Sequence, residues 1–161
     1  MPREEDRPVQ ESVLDRLIGD DEEVSSITRT RSVRDLKAAV RRDLEWLLNT
    51  RAVAIPPPES LQQVRESVYT YGVSDITSLS ADDPKARLRL RAMIEEAIRI
   101  FEPRLMNVLV SESAAVSREN RQLRFSIQAV LRMDPSPERV SFDTVLDVSR
   151  GQYAVKGESG A

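Results

Sequence analysis

One change in the sequence constrains the fold more than any other: the spacing of apolar residues switches at Pro103. Before it, Leu90, Met93, Ile94, Ala97, Ile98 and Phe101 recur in steps of three and four, which lines one face of a helix. After it, in "QLRFSIQAVLRM", Leu123, Phe125, Ile127, Ala129, Leu131 and Met133 alternate with Arg124, Ser126, Gln128 and Arg132, the period of a half-buried strand. "RVSFDTVLDVSR" repeats the alternation, with Val140, Phe142, Thr144, Leu146 and Val148 inward and Ser141, Asp143 and Asp147 outward. "LMNVLVS" adds a strand before these two and "GQYAVKG" a short one after. Helices first and hairpin-linked strands in the C-terminal half predict an α+β domain, with helices packed on one face of a small antiparallel sheet.

The helical half has its own punctuation. Ser32-Val33-Arg34-Asp35 has the spacing of a capping box, and Val33, Leu36, Val40, Leu44, Leu47 and Leu48 follow on one face, predicting a helix over 33–49. Its other face, with Arg34, Lys37, Arg41, Arg42 and Glu45, reads as a solvated side, and Trp46 sits beside the apolar stripe. "AIPPPES" ends the helix, because consecutive prolines remove donors and hold the backbone extended. Ser60 is a candidate cap for a shorter helix over 61–69 with Leu61, Val64 and Val68 inward. "TYGVSDITSLSADDP" reads as a connection in which Gly72 is free to take positive φ, and Asp83-Pro84 starts the next helix.

Residues 1–31 form a segment apart, with nine acids against five arginines. Within it "SVLDRLIG" places Val13, Leu14, Leu17 and Ile18 on one face of a short helix, a motif at 12–18 that either docks on its own domain or binds a partner. The expected organisation is this acidic segment, a single domain over 32–156 and a tail at 157–161. The first residues are too acidic for a targeting peptide and no apolar run approaches a membrane span, so a cytoplasmic protein without direct membrane insertion is expected.

The chain has no cysteine and no histidine, which removes thiolate and imidazole chemistry and with it the usual hydrolase triads and zinc sites. No phosphate-binding glycine loop or nucleophile elbow is present, and no cofactor is expected. Acidic pairs such as Glu95-Glu96 or Asp82-Asp83 are adjacent rather than opposed, so they read as a solvated helix surface and not as the two carboxylates of a glycosidase. A net charge of −3, and arginines with no interleaved aromatic residues, argue against nucleic acid.

The remaining oddity is Glu102-Pro103-Arg104, a charged pair at the joint between a core helix and a core strand. Pro103 has a structural reason, since it stops the helix. Glu102 and Arg104 could pair with each other, with the ends of the domain or with another subunit, and burial would make them costly unless well partnered. If they serve another subunit, Glu102→Ala or Arg104→Ala should weaken assembly and leave the fold intact.

"SVLDRL", "VRRDLEWLLNTR", "YGVSDI", "FEPRL" and "FDTVLDVSRGQY" occur in this order between about residues 11 and 155. In this the chain resembles the TssE family of type VI secretion baseplate subunits and the related lysozyme-like baseplate wedge proteins of contractile-tailed phages. The resemblance implies a structural, non-enzymatic α+β wedge subunit that links the baseplate to the contractile sheath and helps to initiate sheath assembly and contraction. It implies TssF and TssG as wedge partners, TssK nearby, and the sheath proteins TssB and TssC, joined by strand addition at a sheet edge. It places Glu102, Pro103 and Arg104 at the contact with neighbouring subunits, and the Val13, Leu14, Leu17 and Ile18 patch suits the same contact. Two other readings compete: a carboxylate-dependent peptidoglycan hydrolase and a regulatory binding domain of the same fold.

Overall fold

The computed structural model describes residues 29–76, 83–113, 122–134 and 136–157. The order of elements is α1 (Arg29–Asn49), a one-turn helix α2 (Gln62–Arg65), a 3-10 turn (Val68–Thr70), α3 (Pro84–Phe101), and strands β1 (Leu105–Glu112), β2 (Gln122–Leu131), β3 (Glu138–Asp147) and β4 (Gln152–Lys156). The four strands form one antiparallel sheet in the order β1-β2-β3-β4, so the α+β class read from the switch at Pro103 holds.

The alternation works as the sequence predicts. Leu123, Phe125, Ile127, Ala129 and Leu131 on β2, and Val140, Phe142, Thr144 and Leu146 on β3, are buried against the helices together with Tyr153 and Val155 of β4. Strand β1 departs from simple alternation: Leu105 and Val110 are both buried although they stand five positions apart, an odd offset that would put them on opposite faces. The pairing with β2 shifts between Met106 and Leu109, and Asn107 takes φ +53°, a left-handed conformation that Asn tolerates better than most residues. This bulge turns the strand over by one residue and brings Val110 back to the core.

Helix α1 contributes Leu36, Val40, Leu44, Leu47 and Leu48 and packs on β4, while α3 contributes Leu90, Ile94, Ala97 and Ile98 and packs on β1. Met93 and Phe101 complete the α3 stripe from its half-buried margin. The Asp83 side chain caps α3 as expected, accepting from the Lys85 backbone N–H at 2.9 Å with Pro84 in the first turn.

Two local expectations fail. Helix α1 is already under way at Arg29, so Ser32 lies inside it and does not open a capping box. The expected helix over 61–69 is a single turn with no side-chain cap from Ser60, followed by a 3-10 turn that Ser67 caps instead. Leu61 is 48% exposed and Val68 88% exposed, not inward. The connection anchors itself through Val73 and Ile76, which are buried, and through a backbone pairing of Val73 with Thr50 and Ala52. Gly72 makes that pairing possible: its φ is +118°, and a Cβ there would lie 2.4 Å from the Thr50 carbonyl oxygen.

Candidate functional site

Helix α3 ends because Pro103 has no amide hydrogen to continue it, and Glu102 becomes the capping residue, its N–H still donating to Ile98 O at 2.9 Å. Two residues later the backbone enters β1, where Arg132 N–H donates to Arg104 O at 2.7 Å. The side chains of Glu102 and Arg104 therefore project from a sharp corner, and they meet. Arg104 Nε donates to Glu102 Oε1 at 2.6 Å and Nη2 donates to Glu102 Oε2, a two-pronged charge-assisted pairing. The same Nη2 donates to Asp43 Oδ2 of α1 at 2.6 Å.

Glu102 is 4% exposed, and Arg104 and Asp43 are half-buried. A carboxylate this deep is tolerable only because a guanidinium takes both of its oxygens. The bond to Glu102, and secondarily that to Asp43, hold the Arg104 guanidinium above its already high range, although burial pulls the other way. Tyr71 lies against the cluster, its ring edge-on to Phe101 at 5.2 Å; burial, then the charges of Asp43 and Glu102, push its phenol up. On the outer side Arg42 Nε donates to the other Asp43 oxygen at 3.2 Å, and its guanidinium lies 5.2 Å from the centre of the Trp46 ring. Trp46 is 52% exposed.

Of the options the sequence leaves open for Glu102 and Arg104, the structure shows the two side chains paired with each other and tied to α1. Pro103 is exposed at the corner. Val13, Leu14, Leu17 and Ile18 lie outside the described residues. Asp43 is the member that sequence reasoning misses. Its signal is slight: a poor helix former in mid-helix, next to the buried Leu44 and beyond two arginines.

Two further side chains act on the sheet edges. Ser113 N–H donates to Arg124 O, so the N–H groups of alternate β1 residues face β2 and that of Val110 faces away; the Glu95 carboxylate of α3 accepts it at 2.9 Å. Glu95 is thus not part of the solvated surface that the sequence suggests, whereas Glu96 is, bound to Arg99 in the open. At the opposite edge the Asn49 amide matches the β4 backbone with both of its ends: Oδ1 accepts from Tyr153 N–H at 2.9 Å and Nδ2 donates to Tyr153 O at 2.9 Å. Each helix caps the outer edge of one strand. On the sheet face away from the helices Ser111 is paired with Ser126, whose hydroxyl lies 3.2 Å from that of its diagonal neighbour Ser141, and Leu109 is exposed beside them.

Among the described residues no group of acidic side chains is arranged to hold a metal ion, and no helix is long and apolar enough to cross a membrane. The arrangement suits contact: a rigid ionic corner, an exposed aromatic residue beside it and a sheet with guarded edges. Residues 34–136 match the protein family described as baseplate wedge protein gp25, a span that includes Asp43, Asn49, Glu95, Glu102 and Arg104. No curated protein matches the chain.

Proposed function

The chain belongs to the family of baseplate wedge protein gp25, and from that premise we propose that it serves as a TssE-type structural subunit of a type VI secretion baseplate, joining the wedge to the contractile sheath. The observation that carries this reading is the family match, which spans the whole clamp from Asp43 to Arg104. The clamp supports it physically. A subunit that passes force between neighbours needs its helices and sheet joined without slack, and a charged corner with defined geometry does that better than apolar packing, which tolerates sliding. The exposed Trp46 and the stacked Arg42 beside the clamp are residue types that dominate protein interfaces. In this reading Pro103 presents the corner, Glu102 and Arg104 set its shape, and wedge proteins of the TssF and TssG kind dock on the Trp46 side, with TssK nearby.

The sheath proteins TssB and TssC would meet the sheet. Asn49 already occupies Tyr153, so an added strand would pair from Val155 onward, the next residue whose backbone faces outward. The apolar patch of Val13, Leu14, Leu17 and Ile18 would be the second wedge contact. No reaction is required of the subunit, and the purified chain is expected to release no fragments from peptidoglycan.

The test is co-purification with TssF and TssG from the same bacterium, comparing the native chain with Trp46→Ala and Arg104→Ala after circular dichroism has shown each to be folded. A complex that forms natively and weakens in Trp46→Ala supports the proposal. Absence of any complex with the native, folded chain sinks it.

A further inference from the structure

The bulge in β1 does two things at once. It turns Val110 into the core, and it turns Leu109 out on the opposite face, where the side chain is 56% exposed. Leu109 does not stand alone there. It is the register partner of Gln128, the half-buried Met106 is the partner of Val130, and Val130 is also the partner of Arg139 on β3. Because Leu131 and Val140 point into the core, these residues share the face away from the helices. Arg132 joins them: its N–H extends the ladder to Arg104 O, and alternation after the buried Leu131 places its side chain on the same face. One end of the open face thus groups three apolar side chains, Met106, Leu109 and Val130, with two cations, Arg132 and Arg139.

Both arginines are exposed, and among the described residues no carboxylate pairs with either. The nearby acids are placed elsewhere. Glu138 turns to the helix side and binds Lys37 at 2.7 Å. Asp143 lies four residues along β3 from Arg139, about 14 Å away, and stands opposite Lys156. Asp134, in the turn after β2, is exposed and joined to neither arginine. Two unpaired cations on neighbouring strands oppose each other, and in a chain of net charge −3 this positive end is a local feature and not a general excess. We propose that this end of the open face docks an acidic amphipathic helix of a partner protein. Its apolar residues lie on Met106, Leu109 and Val130, and its carboxylates pair with Arg132 and Arg139.

Scale and chemistry favour this occupant. A helix about 10 Å across covers the two strands that carry the apolar trio and reaches Arg139 on the third. A stable dimer of the chain needs about 800 Å² on each copy, roughly twenty residues, far more than five side chains supply. Nucleic acid and anionic lipid call for a longer track of cations, and single-stranded nucleic acid for aromatic platforms as well. Phe125, Phe142 and Tyr153, the aromatic residues of the sheet, are all turned into the core. Met and Arg are residue types enriched at protein interfaces. Trp46 stands on α1, on the helix side of the sheet, so this surface is separate from the one proposed for the wedge proteins and can fail without it.

The test is an NMR titration of the isotope-labelled full-length chain with a synthetic amphipathic helix of leucine and glutamate, set against the same peptide with lysine in place of glutamate. The glutamate peptide is expected to shift the amide signals of Leu109, Gln128, Val130 and Arg139 to saturation and to leave Trp46 unmoved, and the lysine peptide to do neither. Arg132→Ala combined with Arg139→Ala, both at exposed positions, should weaken that binding at least about tenfold. Should the double variant lose its native spectrum, Arg139→Glu alone is read by the same criterion. Leu109→Ser, which keeps both cations, should weaken binding too; unchanged affinity there would reduce the effect to charge attraction and overturn the docking. No shift at these amides, or an equal response to the lysine peptide, would overturn it as well. So would equal saturation of the same amides by duplex DNA, by phosphatidylserine vesicles, or by the chain itself as its concentration is raised.

Discussion

At Glu102 the chain places a carboxylate where water barely reaches, and its acceptability depends on Arg104 and Asp43. Removing one partner leaves a buried charge without compensation, so Arg104→Ala is expected to cost about 3–5 kcal/mol in denaturant unfolding of the isolated chain. Arg104→Lys should recover only part of this, because an ammonium cannot take both oxygens. Because the structure pairs these side chains within the chain, a clamp loosened here should register in the stability of the isolated chain as well as in assembly. Loss of stability near zero would mean that the corner is held by packing alone. Tyr153 makes the opposite case. Its hydroxyl is buried with no hydrogen-bond partner among the described residues, and burial raises its phenol well above the ordinary range. The folded chain then keeps a proton that the unfolded chain releases, so stability should fall as pH rises past about 10. Tyr153→Phe is expected to raise stability by about 1 kcal/mol at neutral pH and to flatten that alkaline loss in melts at both pH values.

Elements carrying a single clear period were legible. The α3 stripe, the alternation of β2 and β3 and the Asp83 cap are local patterns that the tertiary structure uses unchanged. The helix expected over 61–69 is not, because its apolar residues are too few to compete with the anchor that follows it: burial of Val73 and Ile76 and backbone pairing of Val73 with Thr50 and Ala52, which depends on Gly72. That dependence can be measured. Gly72→Ala would force a side chain into a left-handed conformation and against a carbonyl oxygen, and is expected to destabilise by about 2 kcal/mol or more, read as a lowered thermal midpoint. The charged corner was visible as a motif, but its third member was not, because Asp43 lies sixty-one residues away in sequence and only the fold brings it there.

For the molecule as a whole, the sheet has two outer edges, one guarded by α3 and the other by α1. Glu95 and Asn49 sit on opposite sides, so their effects on stability should add. The more telling outcome is association: with both edges uncapped, in Glu95→Ala combined with Asn49→Ala, the isolated protein should self-associate in light scattering at concentrations where the native chain does not, because bare strand edges template further pairing. A double variant that stays dispersed would show that the helices shield the edges by bulk and not by these two side chains.

The corner at Pro103 also has a mechanical meaning. Helix α1, the end of α3 and the start of β1 meet through one guanidinium, so the three elements form a braced joint rather than three parts resting on a shared core. A pull applied to α1 at Asp43 is delivered to the first residues of β1 within a single side chain's length, and a load arriving along the sheet returns by the same path. At this corner helix α1, the end of α3 and the start of β1 are therefore expected to move together under load.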